Sequence, residues 1–197
     1  LLDEVIIAVD SEEVRKKLKN SKIKVVMTSS EHSSGSDRVA EVVKEQDVEI
    51  VVNIQGDEPM LDPVIIDKMV YEFREVEVQM VTSVSTEIAP EDFLDTNTVK
   101  VLLDEHRNAT AFQRILKQKT TGGWYRHIGV YAFRKETLLY FTGLPQSINE
   151  QKYGLEQLRA LDNGISIRAV VTHYPYRGVD TEKDLGTIRQ MCEVAKS

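Results

Sequence analysis

The sequence predicts a three-layer α/β fold in which helices cover both faces of a mostly parallel sheet. Short β-branched segments alternate with helical patterns through the first half of the chain, an order typical of such folds. One segment, residues 50–54, is apolar except for Asn53, as expected of a strand that is buried on both faces. With 197 residues, of which 41% are hydrophobic and 29% charged, the chain is long enough for one globular domain over residues 1–197.

Capping residues and apolar periodicity define the elements of the first half. Asp10-Ser11-Glu12-Glu13 supplies the cap and first turn of one helix, and Pro63 lies in the first turn of another. The predicted strands cover residues 5–9, 23–27, 50–54 and 78–84, and the predicted helices cover residues 10–18, 35–45 and 63–73.

The second half is less regular. Irregular polar stretches separate its strands, which indicates a small insertion subdomain on the same sheet and an oligomer contact, which we expect to be that of a homodimer. The predicted strands cover residues 99–103, 127–133 and 165–172, and the predicted helices cover residues 135–141, 153–163 and 181–194.

Composition argues against several classes of protein. The net charge of −7 lacks the basic balance of a nucleic-acid binder, so no nucleic-acid partner is expected. The single cysteine, Cys192, excludes an internal disulfide framework. No apolar run is long enough to cross a bilayer, and no secretory leader opens the sequence. We therefore expect a cytoplasmic protein without membrane insertion.

Gly56-Asp57-Glu58-Pro59 directly follows the apolar strand at residues 50–54. Open α/β sheets bind ligands beyond the carboxyl ends of their strands, and adjacent carboxylates there suit Mg²⁺, which takes one or two protein carboxylates plus phosphates. The alternative is a polar turn in which Asp57 or Glu58 caps the next helix.

Three further stretches follow strands and concentrate polar groups. Residues 28–38 combine small hydroxyl residues, a glycine and Arg38, which suits close approach to a ligand or a simple helix cap. His127, Gly129 and Tyr131 share one face of a strand, where they could line a pocket with Gly129 leaving room for a ligand; a half-buried, hydrogen-bonded histidine is the alternative. Asp180 is either a second metal ligand at the same edge as Asp57 or the cap of the last helix.

Five motifs, at residues 32–41, 53–59, 127–134, 155–159 and 178–181, occur in the same order in the 3-deoxy-manno-octulosonate (Kdo) cytidylyltransferases, the CMP-Kdo synthetases. The chain resembles that family over essentially its whole length. The resemblance implies a nucleotide-diphospho-sugar-transferase-like fold and an enzyme of lipopolysaccharide biosynthesis that couples CTP to the 2-hydroxyl of Kdo with Mg²⁺, releasing pyrophosphate.

The same resemblance implies roles for individual residues. Asp57 and Asp180 are expected to be the catalytic metal ligands. The expected nucleotide-binding residues are His32, Ser34, Gly35, Ser36 and Arg38, and the expected sugar-acid-binding residues are Gln55, Arg114, His127, Tyr131, Glu156 and Gln157.

The sequence departs from the family pattern in two places. The first strand and the Arg-, Ser- and Lys-bearing triphosphate loop of the family have no counterpart, and no glycine-rich phosphate loop replaces them, so we expect an N-terminal segment to be missing. The residues around Arg114 also differ. Two alternatives are a cytidylyltransferase for another 2-keto sugar acid, such as a neuraminate, and an inactive binding module if the natural chain starts at Leu1.

Overall fold

A computed structural model describes residues 2–116, 123–173, 178–179 and 181–194. The strands are β1 Ile6–Val9, β2 Lys24–Met27, β3 Ile50–Ile54, β4 Met80–Ser85, β5 Lys100–Leu103, β6 Ala109–Gln113, β7 Trp124–Arg134 and β8 Ile167–Thr172. The helices are α1 Glu12–Lys17, α2 Gly35–Val43, α3 Pro63–Glu72, α4 Lys135–Gly143, α5 Ile148–Tyr153, α6 Gln157–Asp162 and α7 Glu182–Val194. In the described ranges, no helix combines the length and apolar character that a membrane span requires.

The long strand β7 organises the main sheet, whose order is β6-β5-β7-β4-β8. β4 pairs with one side of β7, while β5 and β3 pair with different stretches of β7. β1 and β2 form a separate parallel pair. Because β3 and β4 both run antiparallel to β7, and β8 runs parallel to β4, the carboxyl ends of β3, β4 and β8 lie at one edge of the sheet. We call this the carboxyl edge.

The sheet is mixed rather than mostly parallel, which corrects the expectation from sequence. The pairs β1–β2 and β4–β8 are parallel, whereas β7 runs antiparallel to β3, β4 and β5. Parallel neighbours need a long crossover, usually a helix, and no helix separates β5 from β6. These two strands form an antiparallel hairpin that joins the main sheet through β7, where an insertion subdomain was expected.

Two apolar cores, one on each face of the sheet, complete the three layers. On the α2 face, residues of α2, α4 and α6 pack on Val51, Phe133 and their neighbours. On the α3 face, Ile65, Met69 and Phe73 pack on β4, β7 and β8. The predicted three-layer α/β architecture is therefore confirmed.

Three elements differ from the sequence prediction. Strand β6 was not predicted, because its Ala-Thr-Ala-Phe-Gln sequence lacks a clear apolar run. The helix predicted over residues 153–163 begins only after Gly154, as α6, and the short helix α5 before Gly154 was not predicted. Gly154 adopts the left-handed conformation, with φ 59°, that ends many helices, so the chain turns there before Glu156.

Candidate active site

A network of polar side chains lies on the α2 face of the sheet, next to the carboxyl end of β3. We call it the polar cluster and define it as Ser34, Ser36, Asn53, Gln55 and Glu156. Ser34 Oγ donates to Glu156 Oε1 at 3.0 Å, Asn53 Nδ2 donates to Ser36 Oγ at 3.2 Å, and Gln55 Nε2 donates to Asn53 Oδ1 at 3.1 Å. Four of the five were predicted site residues, and the structure brings them together.

Asn53 is the member that the sequence analysis did not assign to the site. It is 2% exposed and joins the α2 hydroxyl of Ser36 to the amide of Gln55. An amide in a β-branched strand was the available signal, because a buried polar side chain needs partners to offset its desolvation.

Helix α2 brings its first turn close to the end of β3. Ser34 is the N-cap of α2 and accepts a hydrogen bond from the backbone N–H of Asp37 at 3.1 Å. At Gly35, a Cβ atom would lie 2.6 Å from Gln55 Nε2 and 2.8 Å from Gln55 Oε1. Only glycine permits this approach without moving the Gln55 amide. Contact of Gly35 with a nucleotide stays a prediction.

Glu156 brings a carboxylate into this enclosed setting. Burial raises its pKa above the ordinary value, and hydrogen bonds from Ser36 and Ser34 act in the opposite direction. Tyr131 is 7% exposed, and its pKa is raised well above the ordinary value by burial and then by the charge of Glu156. Gln157, which begins α6, is 4% exposed. These groups can donate to and accept from the hydroxyls of a bound sugar.

Arg159 links α6 to α5 and α2. Its Nε and Nη2 donate to Glu150 Oε2 and Oε1 at 2.8 and 2.6 Å, and its Nη1 lies 3.8 Å from Asp37 Oδ1. The side chains of Arg159 and Glu150 are 2% and 6% exposed. Paired, bidentate geometry offsets the desolvation of these buried charges. The pair joins α6 to α5, and the contact with Asp37 joins α6 to the first turn of α2. The sequence analysis did not assign Arg159 to the site.

His127 lies beneath the polar cluster on β7. Its Nε2 is 3.0 Å from Thr82 Oγ1, and its ring packs edge-on against Phe112 and beside Tyr131. It is 9% exposed, and burial lowers its pKa from 6.5 to about 3, so the imidazole is neutral at pH 7. His127 and Tyr131 face one core while Ile128 and Val130 face the other, as predicted from alternation. Direct contact of His127 with a ligand stays a prediction.

The space above Gly129 is taken by protein. Glu58 is 7% exposed, and its Oε1 lies 3.1 Å from the position of a Cβ atom at Gly129. The expectation that Gly129 leaves room for a ligand is therefore corrected: the glycine leaves room for the Glu58 carboxylate. The sequence shows only two adjacent acids, Asp57 and Glu58, whereas the structure exposes the first and buries the second.

Asp57 is exposed just beyond β3, and its main chain meets the C-terminal part of the protein. The backbone N–H of Val179 donates to the carbonyl of Asp57 at 2.9 Å. Asp180, the other expected metal ligand, follows Val179 in the sequence but lies outside the described residues. Within the described residues, no group of three or more His, Cys, Asp or Glu side chains forms a metal cage. A Mg²⁺ site with one or two carboxylates needs no such cage.

Two expected nucleotide-binding residues lie apart from the polar cluster, beyond the ends of β1 and β2. His32 Nε2 contacts the Glu41 carboxylate. Arg38 donates from Nη1 to Thr28 Oγ1 at 2.7 Å and from Nη2 to Asp10 Oδ2 at 2.7 Å. Arg38 thus holds the ends of β1 and β2 together in the described structure.

Arg114 also lies apart from the polar cluster. Its Nε, Nη1 and Nη2 donate to the main-chain carbonyls of Tyr153, Thr96 and Gly154 at 3.3, 2.8 and 3.0 Å. The structure thus places the guanidinium against main chain, where a substrate contact was expected.

The comparisons with known proteins define the class as nucleotidyltransferase. At the level of fold alone, the structure is similar to the inositol-1-phosphate CTP transferase from T. maritima, with a TM-score of 0.65 at 16% identity over 95% of this chain and 74% of that one. A solved structure of CMP:2-keto-3-deoxy-manno-octonic acid synthetase complexed with CTP is much more similar. Its TM-score is 0.89 at 31% identity, over 98% of this chain and 82% of that one.

Sequence comparison identifies the family to which the chain belongs among the nucleotidyltransferases. The profile described as cytidylyltransferase matches residues 1–167. The 3-deoxy-manno-octulosonate cytidylyltransferase of Lawsonia intracellularis is 43% identical over 94% of this chain and 76% of that protein. The enzyme of the same name from Solibacter usitatus is 39% identical over 96% and 78%. The chain belongs to the cytidylyltransferase family, which confirms the resemblance seen in its motifs.

Proposed function

We propose that the protein transfers a cytidylyl group from CTP to Kdo, giving CMP-Kdo and pyrophosphate. The observation that carries this proposal is the polar cluster, in which Ser34, the N-cap of α2, donates to the carboxylate of Glu156, the N-cap of α6, at 3.0 Å. Such a junction suits a site where a nucleotide and a polyhydroxylated acid bind side by side. The similarity to a CTP complex and to two enzymes named for Kdo supports both substrates.

The reaction is an in-line displacement. The oxygen of the sugar 2-hydroxyl attacks the α-phosphorus, the bond from that phosphorus to the bridging oxygen breaks, and pyrophosphate departs with the electron pair while the hydroxyl proton is lost. Little covalent chemistry is asked of the protein, so catalysis depends on positioning and on neutralising charge.

Several residues would carry the positioning. Ser34, Gly35 and Ser36 would hold the nucleotide against the first turn of α2. Gln55, Tyr131, Glu156 and Gln157 would orient the sugar acid, with neutral His127 supporting Tyr131 from below. His32 and Arg38 would act on the nucleotide side by fixing the loop after β2.

A divalent cation, when bound, supplies charge neutralisation at the phosphates. Asp57 and Asp180 would hold it. The hydrogen bond from Val179 N–H to the Asp57 carbonyl supports this pairing, because it ties the residue before Asp180 to the end of β3 at 2.9 Å. Two carboxylates match the preference of Mg²⁺ for oxygen ligands.

Pyrophosphate release tests the proposal. The complete natural polypeptide should release pyrophosphate from CTP with Kdo and Mg²⁺, and far more slowly with a neuraminate or with UTP or ATP. A preference for the neuraminate, or equal rates with UTP, would assign a different reaction. Binding of CTP without any release would identify an inactive binding module.

A further inference from the structure

Lys100 and Arg114 are two cations that lie apart from the polar cluster and donate to main-chain carbonyls. Lys100 is 0% exposed, and its Nζ donates to the main-chain carbonyls of Asp95 at 2.8 Å, of Thr98 at 2.6 Å and of Arg114. An ammonium has three N–H donors and no acceptor, so this lysine is fully used by the main chain.

The two cations act on one continuous piece of structure. Lys100 begins β5 and pairs in register with Gln113, the last residue of β6. Its ammonium therefore fixes the carbonyl of the next residue, Arg114, against the loop at residues 95–98. The Arg114 guanidinium then bonds Thr96 of that same loop and reaches Tyr153 and Gly154.

The contact at Tyr153 and Gly154 falls at the C-terminus of α5. The last carbonyls of a helix have no partner within the helix and carry partial negative charge, so an arginine there satisfies them. Gly154, at φ 59°, turns the chain toward Glu156 and Gln157. Any shift at Gly154 is therefore transmitted to the carboxylate of the polar cluster.

A lysine in this position is costly, because burial opposes its charge. Burial lowers the pKa of Lys100, while Asp95 and Asp92 raise it. An apolar side chain would avoid that cost but would leave buried carbonyls without donors. The buried charge is best explained by the three main-chain carbonyls that the ammonium holds in place.

We propose that Lys100 and Arg114 are positioning residues: together they form a main-chain clamp that sets the place of Glu156 and Gln157, and through them the affinity for the sugar acid. The identity of the ligand rests on the proposed function, whereas the effect of the clamp on the positions of Glu156 and Gln157 concerns the protein alone. Arg114 thus acts on the substrate through the α5–α6 turn and not by touching it.

Hydrogen exchange of the ligand-free protein tests whether the clamp holds the turn between α5 and α6 in place. Arg114→Gln should speed exchange of the amides at residues 154–158 by about tenfold, corresponding to a loss of about 1.4 kcal/mol of local stability. Arg114→Lys, which keeps the charge, should recover part of the protection. Lys100→Met should act in the same direction, and Arg114→Gln keeps the test decisive if the lysine variant does not fold.

Arg134 offers a matched control. Its guanidinium also donates to three main-chain carbonyls, those of Val78, Phe73 and Glu75, but at the other end of β7. Arg134→Gln should leave exchange at residues 154–158 unchanged. Equal effects of Arg114→Gln and Arg134→Gln there, or no effect of Arg114→Gln, would overturn the clamp.

Steady-state kinetics test the link to the substrate. Arg114→Gln should raise the KM for Kdo about tenfold with little change in the KM for CTP, as lost orientation at one subsite predicts. A raised KM with unchanged ligand-free exchange would mean direct substrate contact and overturn the proposal, as would faster exchange with an unchanged KM. If the wild-type protein does not turn over Kdo, the proposed function fails, and the exchange comparison alone decides the clamp.

Discussion

The two faces of β7 carry different kinds of buried residue. Toward α2, the strand presents His127 and Tyr131, which are 9% and 7% exposed. Toward α3, it presents Ile128, Val130 and Ala132, all 0% exposed and packed in an apolar core. One strand therefore presents polar groups to the candidate site on one face and ordinary packing on the other.

This difference separates activity from stability. Apolar burial on the α3 face contributes directly to the free energy of unfolding. Polar side chains on the α2 face must first offset their own desolvation with hydrogen bonds, so their net contribution is small. Truncating apolar side chains toward α3 should reduce stability and spare turnover, whereas changing the polar side chains toward α2 should mainly reduce turnover.

The largest expected effect is a loss of activity caused by a change at the carboxyl edge. Asp57→Asn should lower kcat by about a thousandfold, because the proposed metal ligand would lose its charge, which is worth several kcal/mol of transition-state stabilisation. Asp57 is exposed, so the melting temperature should change little. Asp62→Asn is a suitable control, since Asp62 only caps α3 through the N–H of Val64. Equal loss of activity in both variants would remove Asp57 from the site.

The next effect is on stability alone. Met69→Ala on the α3 face should lower the free energy of unfolding by about 2–5 kcal/mol, because Met69 is 0% exposed and truncation leaves a cavity. Its kcat/KM should match the wild type under conditions in which both are folded. Val76→Ala, at a side chain 80% exposed, should change neither quantity. Urea unfolding measures the free energy of unfolding, and steady-state kinetics on the same samples measure kcat/KM. A loss of kcat/KM in folded Met69→Ala would contradict the claim that the α3 face affects stability alone.

A smaller effect is the pH dependence of stability that His127 causes on the α2 face. The pKa of His127 is lowered from 6.5 to about 3 by burial, so the unfolded chain binds a proton that the folded chain does not. Stability is therefore complete above about pH 6.5 and is lost as pH falls toward 3; at pH 5 the loss is about 2 kcal/mol.

His127→Gln should remove this contribution. Its unfolding free energy should fall less steeply than that of the wild type between pH 7 and pH 5, whatever its value at pH 7. Denaturant unfolding of both proteins at several pH values gives the two slopes. Parallel plots of unfolding free energy against pH for the two proteins would mean that His127 is not buried as described. His127 would then no longer count among the buried polar groups of the α2 face.

Much of the fold was predictable because local signals agreed with it. Residues 50–54 form β3 as predicted, and Ser11 and Pro63 begin their helices as expected. The direction of β7 was not predictable, because its pairing with β3 and β4 is set by contacts distant in sequence. The break at Gly154 was missed, since glycine also occurs inside helical patterns.

The site was predictable to a similar degree. Motif residues Ser34, Ser36, Gln55 and Glu156 do meet. The spatial separation of Arg114 from them had no sequence signal, because a guanidinium suits a carbonyl as well as a substrate carboxylate. The roles of Asn53 and Arg159 depend on partners that only the tertiary structure supplies.

The hydrogen bond between Ser34 and Glu156 joins residues 122 positions apart, whereas Ser36 and Asn53 are only 17 apart. At typical elongation rates, synthesis from Asn53 to Glu156 takes on the order of ten seconds. During that interval the nascent chain carries the α2 and β3 members of the polar cluster without its carboxylate. Closing so long a loop adds an entropic cost that grows only slowly with its length. The polar cluster can therefore be completed only after most of the chain has been synthesised.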